Sequence, residues 1–219
     1  MMKNAHIPNT AMPTPRAYHH GNLRQTLLNA AVLLAEEVGP EHLSLRELAR
    51  RVGVAPSAPY RHFASRKALL TAVAEEATER LRIGMLTGVA AHRQHGLEQL
   101  QALGEAYLGW AEQHPMHFQV VSARDQIDYA AASGMAQRNQ ELRDMTVQAV
   151  QLAQQQGAAQ TFDPQTLAVL ARATVYGLAR MQTDGHFTQW GVDTATGWQS
   201  ARKLLGVFIG LLGQATQKA

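Results

Sequence analysis

The segment from Ser44 to Phe63, SLRELARRVGVAPSAPYRHF, admits few folds. Leu45, Leu48, Ala49 and Val52 recur at three- and four-residue steps and give a short helix one apolar face, with Arg46, Arg50 and Arg51 turned outward. Ser44 and Glu47, three apart, have the spacing of a capping box, in which each side chain satisfies the other residue's backbone N–H. Gly53 permits a sharp turn, and Val54 can pack into the angle between two helices. Pro56 suits the first position of a new helix, and Pro59 still falls in its first turn, where backbone N–H groups are hardly used. Pro59 disfavours a helical Ala58, so that turn is expected to be irregular or to begin one residue late. The pattern predicts a capped helix, a tight turn, and a second helix of about two turns that carries Tyr60, Arg61 and His62 outward and Phe63 inward.

The same periodicity extends over the rest of the chain. Leu23, Leu27, Ala30, Ala31, Leu34, Ala35 and Val38 line one face of a helix that Gly39-Pro40 ends. A long helical pattern follows Arg66 and Lys67 to about residue 90. Further helical segments are expected at 97–114, just after Pro115, and at 133–156, 164–183 and 194–214. Gly157, Asp163-Pro164, Asp184-Gly185 and Gly191 punctuate them. No alternating run reads as a strand and no fixed repeat is present, so the predicted class is all-α.

Composition narrows the function. A chain of 219 residues with 46% hydrophobic content can build a sizeable core. With no cysteine, a disulfide scaffold, a thiol nucleophile and any thiolate zinc site are excluded, and a cytoplasmic setting is the simplest fit. The first residues, MMKNAHIPNTAMPTPRA, lack an apolar stretch and read as a flexible arm at 1–16 and not as a signal peptide. The longest apolar run, Leu204 to Leu212, is about half of what a bilayer needs, so no membrane partner is expected. Positive charge is concentrated early: 11 basic against 7 acidic residues through position 82, and 9 against 10 beyond it. A phosphate-binding surface would need it there.

The stretches YHHGNLRQTLLNAA, LSLRELARRVGVAPSAPYRHF and SRKALL, from Tyr18 to about Leu70, resemble the TetR family of bacterial transcriptional repressors. The resemblance implies a three-helix DNA-binding domain at 17–66, a ligand-binding and dimerisation domain of about six helices at 67–219, and a homodimer that binds a double-stranded DNA operator. It places Ser57, Tyr60, Arg61 and His62 on the recognition helix, with Arg61 as a bidentate reader of guanine and Tyr60 and His62 as phosphate donors. Ser44 and Arg46 fall at the start of the helix that lies across the DNA backbone. Arg66 stands where the family usually has a phosphate-contacting lysine, and Tyr18 is a further candidate beside the arm.

In the second half, Tyr107, Trp110, Phe118, Met145, Tyr176 and Met181 come from helices expected to surround a cavity for an unknown small-molecule effector. Arg124 and Arg180 would favour an anionic ligand if they faced inward; the plainer reading is surface arginines. Leu167, Leu170, Thr174, Leu178, Leu204, Leu205, Phe208, Leu211 and Leu212 are assigned to a four-helix dimer interface. The histidine pairs His92/His95 and His114/His117 sit beside helix breakers and read as helix ends, with His114 and His117 as caps or cavity lining, so neither a metal nor another cofactor is expected. No GxSxG, phosphate-binding glycine loop or placed acidic pair marks an enzyme. The reading is a sequence-specific regulator, a repressor released from a palindromic operator by an effector. The alternatives are an activator, or a small-molecule-binding module without effector-controlled DNA release.

Overall fold

The computed structural model describes residues 23–160 and 162–214. Helix α1 is Leu23–Val38, α2 is Leu45–Val52 and α3 is Arg66–Ala90. Helix α4 follows at Gly96–Gln113, α5 at Pro115–Ser122, α6 at Ser133–Gln155, α7 at Pro164–Thr183 and α8 at Gly197–Gln214. Among the described residues there is no strand, and the chain is all-α. No described helix is long and apolar enough to cross a membrane. The expected arm at 1–16 and Tyr18 lie outside the described residues.

Two apolar clusters organise these helices. The first joins Leu27, Leu34, Leu48, Phe63, Leu69 and Leu70, and it takes in Met116, Val120, Ile127 and Met135 from farther along the chain. The second joins Leu81, Leu100, Leu108, Phe118, Val150, Val175, Phe187 and Leu205. Burying each leucine fully contributes about 1.5–3 kcal/mol, so each cluster can hold its helices together without help from their modest intrinsic stability. Helix α3 belongs to both: Leu69 to Ala74 are buried at its start, and Ala77, Leu81 and Met85 toward its end. The boundary expected at 66/67 therefore coincides with the first turn of a 25-residue helix that runs through both units.

Polar links fix α3 to its neighbours. The Glu79 carboxylate accepts from Arg82 and, at 2.6 Å, from Arg138 of α6; Arg82 reaches Glu141. These arginines hold Glu79 at about 2, below the usual carboxylate range. Gln25 of α1 donates to Glu76, which also pairs with Arg80. Where α4 meets α8, Gly104 leaves no room for a side chain, since a Cβ there would stand 2.7 Å from a Leu205 methyl.

Two local expectations fail. Ser44 occupies the N-cap position of α2 with extended backbone, but its side chain makes no capping bond, and Glu47 turns to Arg50 at 2.5 Å. A carboxylate bond to a guanidinium, charged on both sides, outcompetes one to an uncharged backbone N–H, so the capping box does not form. The second helix is also shorter than two turns. Residues 56–58 form a turn and only Pro59–Arg61 is helical, as one 3₁₀ turn, because Pro59 has no N–H to close the first α-helical bond back to Ala55.

Candidate functional site

The turn between α2 and the Pro59–Arg61 segment is set by Gly53, whose φ of 75° is left-handed. Its N–H and that of Val54 return to the Arg50 and Ala49 carbonyls and close α2. Pro59 and Phe63 are buried beneath the segment, while Ser57, Tyr60, Arg61 and His62 are exposed above it. Tyr60 is half-exposed at 50%, an unusual position for a ring that lacks an external partner. Ser44 and Arg46 are exposed on the neighbouring end of α2.

Ion pairing sorts the cations of this surface. Arg50 pairs with Glu47 and Arg51 with Glu37, so their charge is partly spent. Among the described residues Arg46, Arg61 and the exposed Lys67 have no carboxylate partner. Arg66 faces elsewhere. It is half-buried, donates to the Pro40 and Glu41 carbonyls at 2.9 and 2.6 Å, and bonds Gln126. The free charge at the start of α3 is therefore on Lys67. Adjacency to Arg66 was the only sequence signal for it.

The second site is a cavity of about 620 Å³ within α3, α4, α6, α7 and α8. Leu81, Met85, Leu100, Leu103, Val175, Leu205 and Ile209 line its interior. Of the six aromatic and methionine residues expected around a cavity, Tyr107, Trp110 and Tyr176 line it. Phe118 is buried behind them, edge-on to Tyr107 and Trp110, and Met145 and Met181 pack against the core. Trp110 is buried with no partner for its Nε1–H, and Ser122 Oγ, also on the lining, is likewise unpaired. Leaving such groups unmet costs about 1–3 kcal/mol each, which a bound molecule or solvent would recover.

Arg124, Arg143 and Arg172 line the cavity and no carboxylate does. Arg172 lies 4.4 Å from the centre of the Tyr107 ring and 5.2 Å from that of Tyr176. Arg124 lies 4.0 Å from the Tyr129 ring. Burial pushes the Tyr107 and Tyr129 phenols up, and the nearby arginines partly oppose the shift. Arg180 instead pairs with Asp184 at 2.6 Å.

The segment 124–128 touches both sites. Arg124 is on the cavity lining, Gln126 takes the Arg66 bond, Ile127 is buried in the N-terminal cluster, and the Asp128 N–H donates to Thr71 Oγ1 on α3 at 2.9 Å. Sequence reading named only Arg124 here and not the links of Gln126 and Asp128 to α3, since those partners are about 60 residues away.

The residues assigned to a dimer divide by burial. Leu167, Leu178, Leu205 and Leu212 are buried within this chain, whereas Leu170, Leu204 and Leu211 are exposed and Thr174 and Phe208 are half-buried. Val169 and Val207, 67% and 53% exposed, extend the apolar face.

An all-helical chain with an exposed helix-turn-helix and a cavity in a second helical unit defines a class of regulatory proteins, and the comparisons place this chain within it. The family model for bacterial regulatory proteins of the tetR family matches residues 27–73, and that for the tetracyclin repressor-like C-terminal domain matches residues 100–205. The chain belongs to the TetR family. A solved structure of a protein with unknown function from Rhodococcus sp. RHA1 is 32% identical, with a TM-score of 0.72 over 91% of this chain and 100% of that one. The TetR family transcriptional regulator PfmR from Thermus thermophilus shares the fold at 16% identity, with a TM-score of 0.67 over 88% of this chain and 99% of that one. The class A tetracycline repressor protein from transposon 1721 of Escherichia coli is 48% identical over 50 residues, which span 23% of this chain and 23% of that protein.

Proposed function

We propose that this regulator binds a palindromic DNA operator as a homodimer and that a small molecule in the cavity releases it. The observation that carries the reading is the 124–128 segment, which has one end on the cavity lining and the other in the core beneath the helix-turn-helix. On DNA, Arg61 reads a base edge in the major groove while Arg46, Lys67, Tyr60 and His62 hold phosphates. Phosphate contacts set position and Arg61 sets preference. Dimerisation covers the apolar face of Val169, Leu170, Leu204, Val207 and Leu211 and sets the two recognition segments about 34 Å apart. An effector releases the DNA only insofar as it binds the non-matching arrangement more tightly. Displacing Arg124 would shift Gln126, and with it the Arg66 latch on the α1–α2 connection.

The test is selection of bound duplexes from a random library by the full chain at near-physiological salt. Recovery of an inverted repeat is expected. An absence of enrichment at every salt concentration would reject the regulator reading. With the operator in hand, Arg66→Ala should retain operator preference but respond less to any releasing ligand.

A further inference from the structure

We infer that the cavity takes an organic carboxylate, with its apolar body in the interior and its carboxylate gripped by Arg124 and Arg172. The inference rests on the cavity being the effector site, and it adds the chemical class of the effector. Charge is the first argument: arginines line the wall with no acidic residue among them, and among the described residues neither Arg124 nor Arg172 pairs with a carboxylate. The acids closest in sequence are committed elsewhere. Asp125 accepts from Gln126, Asp128 accepts from the Ala130 and Ala131 N–H groups, and Asp144 accepts from Gln140. Arg143 is held by Gln140 and Arg172 bonds the neutral Tyr107 phenol, so the two guanidiniums at the tyrosine wall, Arg124 and Arg172, still lack a counter-anion among the described residues.

Placement is the second argument. Both are exposed residues that reach the lining, so they stand at the mouth of the cavity and not in its floor. Each lies against tyrosine, Arg172 on Tyr107 and Tyr176 and Arg124 on Tyr129, and both act electrostatically on Tyr129. Packing against aromatic rings limits the freedom of a guanidinium while its N–H fork stays available for an oxyanion. Two oriented forks suit a carboxylate, which accepts bidentate bonds.

The interior supplies the third. Its wall is mostly leucine, isoleucine, valine and methionine, with Thr78, Ser122, Asn139, Thr146 and Gln165 among them, and it has the volume of pockets that hold drug-sized molecules. A purely ionic metabolite would strand its polar groups there, and a neutral hydrocarbon would leave both guanidiniums unmatched. Buried Trp110 has an unpartnered Nε1–H on the lining, as Ser122 has an unpaired hydroxyl, so a ligand with an acceptor along its body gains a further bond.

The experiment uses the full chain with phenylnaphthylamine, a neutral apolar fluorophore, as reporter, and decanoate, decanol and decylammonium as competitors. Decanoate should displace the reporter at about ten- to a hundredfold lower concentration than decanol, the value of a charge-assisted bond, and decylammonium should be weakest. In the double variant R124Q/R172Q the decanoate and decanol midpoints should converge, with decanol unchanged as proof that the cavity is intact. Equal displacement by decanol and decanoate in the unaltered chain would overturn the inference, as would a decanoate preference that survives both substitutions or a lack of saturable reporter uptake. The duplex selection separates the two readings. Charge-blind binding by a chain that selects an operator rejects only the carboxylate, whereas a carboxylate preference in a chain that selects no duplex upholds it and rejects the regulator.

Discussion

Arg61 and Arg172 carry the same guanidinium into opposite surroundings. Around Arg61 the backbone is a single 3₁₀ turn above buried Pro59 and Phe63, and the cation stands in water with no carboxylate beside it. Around Arg172 two tyrosine rings form a wall, and the apolar interior of a cavity begins within one helical turn, at Val175. Charge in water attracts a polyanion over a distance set by salt. Charge against a low-dielectric wall acts on what enters, over a few ångströms, and salt screens it less. On the proposed reading, the molecule holds one surface that recognises by approach and one pocket that recognises by fit.

Salt should separate the two most widely. If Arg46 and Lys67 from each of two protomers meet phosphates, about four charged contacts, operator affinity should drop about a hundredfold between 50 and 200 mM salt. Uptake of phenylnaphthylamine should hardly change over the same range. Equal sensitivity of both would erase the contrast. Substitution of Arg61 by alanine comes next: loss of a bidentate base contact should relax preference at one operator position by about ten- to a hundredfold, read by competition with single-base variants. Lys67→Ala should instead weaken all sequences alike and reduce the salt slope by about two, one contact from each protomer.

His117 probes the ground between the two regions. Buried on α5 near Arg80, His114 and Glu76, it is held at about 4, chiefly by burial, against an ordinary 6.5. The folded chain keeps it neutral, so as pH falls from about 6.5 toward 4 the unfolded chain takes a proton that the folded one refuses. Stability should fall over that window, seen as a lower urea midpoint, and His117→Gln should flatten the dependence. The smallest effect is expected at Glu47→Ala, which breaks an exposed pair with Arg50 and should leave the urea midpoint nearly unchanged.

Much of the helical layout was legible because periodicity and breakers are local. Gly39-Pro40, Pro115 and Asp163-Pro164 stand where helices end or begin, and α7 runs over the expected residues. Asp163 caps α7 by accepting from the Thr166 N–H at 2.8 Å. Competition among side chains was not legible. Ser44 and Glu47 had the right spacing for a capping box, but only the fold reveals that Arg50 takes the carboxylate. The cavity was half legible for a similar reason. Aromatic residues on inner helices announce a wall, as Tyr107, Trp110 and Tyr176 do, but whether Phe118 faces the space or backs the wall depends on helix rotation. Arg172 could not be told from a solvent-facing arginine by spacing, since its rings come partly from another helix. The apolar residues of α7 and α8 likewise mix two tasks: Leu205 and Leu212 fill this chain's core, and Leu204 and Leu211 face out one position earlier.

Helix α3 can be viewed as machinery. From the Glu79 clamp to its start at Arg66 it forms an arm of about 20 Å, at 1.5 Å of rise per residue. A rigid arm of that length pivoting by about 5° moves its tip by about 2 Å. Mirrored in a second protomer, the same pivot changes the span between two recognition segments by about 3–4 Å, a tenth of a groove repeat of about 34 Å. A displacement inside the cavity smaller than an atom's diameter would thus be geared up, without any bending of the rod, into a mismatch that rigid DNA would have to absorb along its length.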